Sequence, residues 1–244
     1  MSAHEGEHQL LTTATSTDVG RLGARMAVLP VGSFEQHGDH LPLITDTVIA
    51  CLIAERIADT YELFLLPPIT ISCSHEHEGF PGTVSIAATT LTAVVDDIRD
   101  SLARAGVDKL VLVNDHGGNY VLSNITQQAN VTGPRVTLFP GRGDWTAARE
   151  HAGMETTNHA DMHGGELETS LLLHAHPELV GDGFQSADHE ADHRPHLLVT
   201  GMRGYTETGI IGRPSAATAA KGEAALINLT ASFEDHLGAL TSES

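Results

Sequence analysis

The chain is poor in cysteine, tryptophan and positive charge. Its 244 residues include two cysteines, one tryptophan and 4% aromatic side chains. Cys51 and Cys73 form no C-x-x-C pair, which excludes a disulfide scaffold and a thiolate zinc site; they read as small buried side chains in a reducing compartment. Lysine and arginine number 13 against 32 aspartates and glutamates, a formal charge of −19 with histidine neutral. A surface this acidic repels phosphate backbones and anionic lipid, so nucleic acid and membrane surfaces are excluded as partners. No run of about 18 apolar residues is present to span a membrane. The start lacks a basic segment followed by an apolar one, so a cytoplasmic location is expected. Hydrophobic residues at 41% and charged residues at 18% exclude wholesale disorder. One domain over 1–244 is expected, with flexible tails at 1–8 and 241–244.

Histidine is what the chain has in excess. There are 16, more than all lysine and arginine together. Their positions matter more than their number, and the element pattern supplies the positions. Met26–Val31, Leu63–Leu66, Leu110–Val113 and Arg135–Phe139 are apolar runs that read as buried strands, and Ile69–Ser72 continues extended. Helices are expected from Thr45 or Asp46 through Ile57, from a Thr90 cap to Gly106, over Asn119–Asn130, over Glu166–His176 and over Ala216–Leu237. Residues 141–163 and 181–214 read as loops. Apolar strands separated by amphipathic helices predict a three-layer α/β/α sandwich around a mostly parallel sheet of five or six strands.

Ligands of such sheets bind at the carboxyl ends of the strands. Three strands release imidazoles and carboxylates there. The first is followed by Glu35, His37, Asp39, His40 and Asp46, the second by His75, Glu76, His77 and Glu78, and the third by Asp115, His116 and Asn119. Glu35 and His37 are two residues apart and share one side of an extended segment. They can converge on one site or on two adjacent metals. Mixed nitrogen and oxygen donors without thiolate suit Zn, Mn or Fe, held as a pair. A further carboxylate is expected from His163-Gly-Gly-Glu166-Leu-Glu168, as Glu166 or Glu168, with His163 placed for acid–base work. His77, Asn119 and Trp145 are candidate substrate contacts. His40 and His75 are neighbours of the site, and ten other histidines fall to tails, helix ends and an acidic loop, His236 to the surface of the last helix.

These motifs resemble the creatininase (creatinine amidohydrolase) family. The resemblance is carried by Pro30–Asp46, Glu76–Thr83, Asn114–Asn119, His163–Ser170 and Glu207–Pro214, in the family's order. It implies an α/β/α fold, two divalent metal ions per subunit and a homohexamer. It also implies hydrolysis of a linear or cyclic C–N amide bond by metal-activated water. Glu35, His37 and His116 match metal ligands, Asp46 the bridging carboxylate, and His163 the histidine that carries a proton to the leaving nitrogen. Gly118 stands where creatininase itself has a carboxylate ligand, so Glu168 is assigned as the fifth ligand. Asp39 stands where the family commonly has proline. The substrate is expected to be a small-molecule amide or a short peptide. One alternative is a peptidase that trims a small modified peptide in cofactor maturation; another is a metal- or ligand-binding scaffold without catalysis.

Overall fold

The computed structural model describes residues 11–242. Four parallel strands form the sheet in the order β2–β1–β3–β4: β1 (Met26–Val31), β2 (Phe64–Leu65), β3 (Lys109–Asn114) and β4 (Val136–Phe139). β1 and β3 pair over six residues, from Met26 opposite Lys109 to Val31 opposite Asn114. The expected fifth strand at Ile69–Ser72 contributes only an isolated bridge between Ile69 and Val31. Pro67 and Pro68 precede it and donate no backbone hydrogen bond, so the ladder cannot run on from β2.

Both faces of the sheet are covered, which is why its strands are apolar throughout. Met26 and Val28 of β1 and Val111 and Val113 of β3 face one core. Ala27, Leu29, Val31, Leu110 and Leu112 face the other. The alternation is the two-residue period of a strand buried on both sides. The first core is closed by α2 (Thr45–Tyr61), α6 (Glu166–Ala175) and α8 (Ala219–Thr241). The second is closed by α3 (Ala88–Arg104) and α4 (Val121–Ala129). The α/β/α expectation holds. No helix among the described residues is long and apolar enough to cross a membrane.

Four expectations are corrected. Thr90 lies inside α3, whose N-cap is Ala87 without a side-chain bond. Residues 141–163 are not all loop, because Arg142–His151 forms α5. Its sequence is too polar for periodicity to reveal, but Asp144 accepts from the Gly141 amide at 2.8 Å and so caps its start. The expected tail beginning at Thr241 is shorter, since Thr241 is the last residue of α8; residues 1–8 lie outside the described residues. His236 is half-buried rather than superficial. It bonds Thr137 Oγ1 at 2.9 Å and lies 3.1 Å from Asp144, tying α8 to β4 and α5. A short α1 (Ser16–Leu22) precedes the sheet.

Candidate metal centre

The parallel sheet brings all its carboxyl ends to one edge, and the sequence-expected ligands meet there. Glu35 and His37 follow β1, Asp46 sits in the first turn of α2, His116 follows β3, and Glu168 lies in the first turn of α6. Donor atoms of three groups lie within 4.8 Å of one another: Glu35, His37 and His163; Glu35, Asp46 and His116; His37, Asp46 and Glu168. The groups share members, so they form one continuous cluster. Glu35 and His37 have no exposed surface and Asp46 has 1%.

The hydrogen bonds sort the imidazoles by role. His37 Nδ1 donates to the Glu35 carbonyl at 3.0 Å, which leaves Nε2 facing Asp46 Oδ1 at 2.9 Å. His116 Nε2 donates to the Cys73 carbonyl at 2.8 Å. Its Nδ1 lies 3.2 Å from Glu35 Oε1 and 3.3 Å from Asp46 Oδ2. His163 Nε2 donates to the Gln36 carbonyl at 2.5 Å, and its Nδ1 is 3.7 Å from Glu35 Oε1. Each ring spends one nitrogen on a backbone carbonyl and turns the other to the carboxylates. Metal-ligating histidines are held in this way, the carbonyl fixing tautomer and orientation.

His77 is different. The Gln36 amide oxygen accepts from the Gly38 amide at 2.9 Å, so its nitrogen is the donor to the Gly209 carbonyl and to His77 Nδ1, both at 3.0 Å. Burial lowers the pKa of His77 to about 4, so the ring is neutral with its proton on Nε2, 3.2 Å from Glu35 Oε1. Neither nitrogen is left for a substrate. His77 positions Glu35 instead, and Gln36, which the sequence analysis passed over, sets its tautomer. A His77→Leu variant, which keeps the bulk and loses the N–H, is expected to weaken metal affinity about 10–100-fold without changing the fold. Unchanged affinity in a metal titration would remove the positioning role.

Two other expected substrate contacts have structural partners. Asn119 accepts from the Cys73 amide at 3.1 Å and donates to Asn114 Oδ1 at 2.9 Å. It thereby ties the His116 loop to the Cys73 segment, whose carbonyl receives the His116 Nε2 hydrogen. Trp145 is on α5 and packs against the first core.

The choice between Glu166 and Glu168 follows from their partners. Glu166 accepts from the Glu155 and Thr156 amides, from Thr156 Oγ1 at 2.7 Å and from Lys221 Nζ at 2.5 Å. Burial works to raise its pKa, but Lys221, Thr156 and Glu155 hold it below the ordinary carboxylate range. It is a structural ion pair. Glu168 faces His37 and Asp46 and accepts only from the Gly164 amide among the described residues. Glu166→Ala is expected to cost about 3 kcal/mol, since it takes the closest carboxylate from a largely buried ammonium, which keeps the Ala216 carbonyl, and leaves three donors without their acceptor, while metal content stays at the wild-type value. Because the folded pKa is depressed, the difference is full above the unfolded pKa and shrinks as pH falls through the folded one. Denaturation at neutral and acid pH checks the sign; loss of metal in this variant would contradict the assignment.

Electrostatics show why the centre suits cations. Burial raises the cost of charge on Glu35 and Asp46, yet His116 and His37 hold both carboxyls below their usual range. Burial disfavours charged His37, but Asp46 raises it to about 10. Against the same burial cost, Glu35 and Asp46 raise His116 well above an ordinary imidazole. Burial lifts Glu168 to about 7 and Asp115, which follows the third strand, well above the carboxylate range. Imidazole protons thus balance the carboxylates, and a divalent cation must displace them. Metal uptake is expected to release protons and to weaken as pH falls. Calorimetry in buffers of different ionisation enthalpy measures the release, and pH-independent uptake would contradict it. The donor set passes a further test. Both Glu35 carboxylate oxygens are buried without a hydrogen bond of good geometry, the condition of a group awaiting a metal rather than a protein partner.

A parallel α/β/α sheet carrying a sealed carboxylate–imidazole cluster at its carboxyl edge defines a hydrolase of the metal-dependent class. The family described as Creatininase, creatinine amidohydrolase, matches residues 12–237, and the chain belongs to that family. It is an enzyme acting on carbon–nitrogen bonds, as are relatives named as a peptidase, a creatinine amidohydrolase and a deformylase. A mycofactocin precursor peptide peptidase of Mycolicibacterium smegmatis is 34% identical over 223 residues, covering 87% of this chain and 84% of the relative. A solved structure of creatinine amidohydrolase (creatininase) aligns with a TM-score of 0.80 at 25% identity, over 95% of this chain and 97% of that one. A manganese creatininase structure aligns at 0.77 and 25% identity, over 92% and 95%.

Proposed function

We propose that this chain hydrolyses an amide bond of a short peptide at a centre of two divalent cations. Glu35, His116 and Asp46 would hold one, His37, Asp46 and Glu168 the other, with Asp46 shared. The observation that carries the proposal is the buried Glu35 carboxylate, neither of whose oxygens receives a hydrogen bond of good geometry, faced by imidazoles locked through backbone carbonyls. Zn, Mn and Fe all suit the donors. Divalent cations in such a site supply Lewis-acid polarisation of a carbonyl and acidify water.

The protein's own part centres on His163. Burial, then the positive charge of His37, holds its pKa well below an ordinary imidazole, so the ring is neutral. Its Nε2 hydrogen is committed to the Gln36 carbonyl, which leaves the Nδ1 lone pair open toward the cluster. Nδ1 accepts the proton of the attacking water and passes it to the leaving nitrogen. The ring stands beside His37, with centroids 4.1 Å apart, and beside His77 at 4.4 Å. These tilted ring contacts flank it on two sides. A peptide is favoured over creatinine by the similarity to the precursor peptidase over most of both chains. The cytoplasmic setting and homohexamer rest on sequence and resemblance. Turnover of a panel of peptides and small amides, with and without chelator, tests the proposal. Cleavage of peptides that chelation abolishes is expected; metal-independent turnover, or none of any amide, would overturn it.

A further inference from the structure

His163 and Glu168 reach the cluster from one short stretch of chain, and Gly164 and Gly165 lie between them. Gly164 adopts φ +63°, a conformation that strains any other residue. A Cβ at Gly165 would stand 1.8 Å from Asp161 Oδ1, so a side chain there would displace that carboxylate. A glycine pair is also the most freely rotating link a chain can have. The order of the proton carrier relative to the fifth ligand must therefore come from outside the pair.

Asp161 provides it. The residue is 4% exposed, and its carboxylate spans the two glycines. Oδ1 accepts from the Glu166 amide at 2.7 Å and Oδ2 from the Leu167 amide at 3.2 Å, in the first turn of α6. Oδ1 also accepts from the Arg213 amide at 3.0 Å. The stretch that follows α7 (Leu197–Thr200) returns past the metal centre, and there Ile211 and His163 exchange two backbone bonds of 3.0 Å. One carboxylate thus joins the helix turn that carries Glu168 to the segment that pairs with His163. The Gly164 amide, between them, donates to Glu168. Arg149 fixes the carboxylate in turn. Its Nη1 donates to Asp161 Oδ2 and its Nη2 to the Asp161 carbonyl, both at 2.9 Å, and the residue is buried. Such a fork sets geometry as well as charge.

We infer that Asp161 is a positioning residue of the metal centre, holding Glu168 and His163 in place through the first turn of α6 and the pairing at Ile211. The inference rests on the two-cation hydrolase proposed above. An ordinary helix cap bonds its own helix alone. The bond to Arg213 extends this one to the partner segment of His163, on the far side of the glycine pair. Glu166 shares the turn but has no part in this, since its carboxylate is occupied by Lys221 and Thr156.

The test uses the full chain with Mn²⁺ as the probe. Paramagnetic resonance during a manganese titration counts the free ion and gives the affinity of each of two binding steps. Asp161→Asn keeps the size and loses the charge. One step is expected to weaken about 10–100-fold, while the other keeps its wild-type value, because Glu35, Asp46 and His116 lie outside the Asp161 bonds. On the best-cleaved amide, kcat at saturating manganese should fall about 100-fold, the cost of a misplacement near 1 Å. Arg149→Lys keeps the charge and gives up the fork. It should weaken the same step by a smaller factor, and it decides the matter if Asp161→Asn does not fold. Glu166→Ala is the control for stability alone. It loosens the same turn without touching the Asp161 bonds and should leave both steps unchanged. Wild-type affinities and kcat in folded Asp161→Asn, or in Arg149→Lys where the former does not fold, would overturn the inference. So would equal weakening in Asp161→Asn and Glu166→Ala, the mark of a stability effect. A wild type that binds neither Mn²⁺ nor Zn²⁺ defeats the two-cation proposal and this inference with it; two wild-type steps in every variant defeat the inference alone.

Discussion

Glu35→Gln is expected to abolish metal-dependent stabilisation and to lower the stability of the metal-free protein by about 3–5 kcal/mol. The wild type should gain about 4 kcal/mol when a cation is present at a thousand times its Kd. The variant should gain nothing at the same concentration. The loss in the metal-free protein follows from the charge left behind. Glu35 faces His116 inside the buried cluster, and removing one partner of such a pair costs about 3–5 kcal/mol. The metal-dependent gain is lost as well, because Glu35 belongs to two of the three donor groups. Thermal melts of both proteins across a metal titration measure the effect. A wild-type rise in the variant would contradict the assignment of Glu35 as a ligand.

His163→Ala should separate metal binding from turnover. A positioned acid–base group contributes about 10²–10⁴-fold in rate, so kcat should fall by that factor while the metal stays bound. KM should change little, since the ring is buried and contacts the cluster. The geometry gives the experiment its edge. His163 Nδ1 lies with Glu35 and His37 in a group that can itself hold a cation. If the variant loses metal in step with activity, His163 is a ligand and the proton must travel by another group. Metal content and turnover on the same preparation decide between these outcomes.

Much of this centre was legible in the sequence because a parallel sheet puts its carboxyl ends on one edge. Whatever follows β1 and β3 must meet there, so Glu35, His37, Asp46 and His116 could be grouped before any coordinates. Glu168 was harder, since Glu166 shares its helix turn; only Lys221, 55 residues away, separates the two roles. His77, Asn119 and Trp145 were read as substrate contacts from residue type and place. Their hydrogen bonds and packing reach partners distant in sequence, and no local pattern encodes those. Gln36 was missed for the opposite reason. It lies between two ligands, where strand alternation points its side chain away from them, and its value depends on Gly209 far along the chain. The fold shows the same division. Apolar strands revealed themselves, whereas α5 depends on a cap and on packing against α8 rather than on periodicity.

Two cations per chain in the cluster around Glu35 and Asp46 are the core of the proposed function. Elemental analysis of the protein, purified without chelator and quantified per chain, counts them. Close to two equivalents of zinc, manganese or iron are expected, falling below one in Glu35→Gln and remaining near two in Glu166→Ala. A protein that retains no metal after gentle purification and takes up none from added salts, or a Glu35→Gln variant that still carries two equivalents, would contradict it.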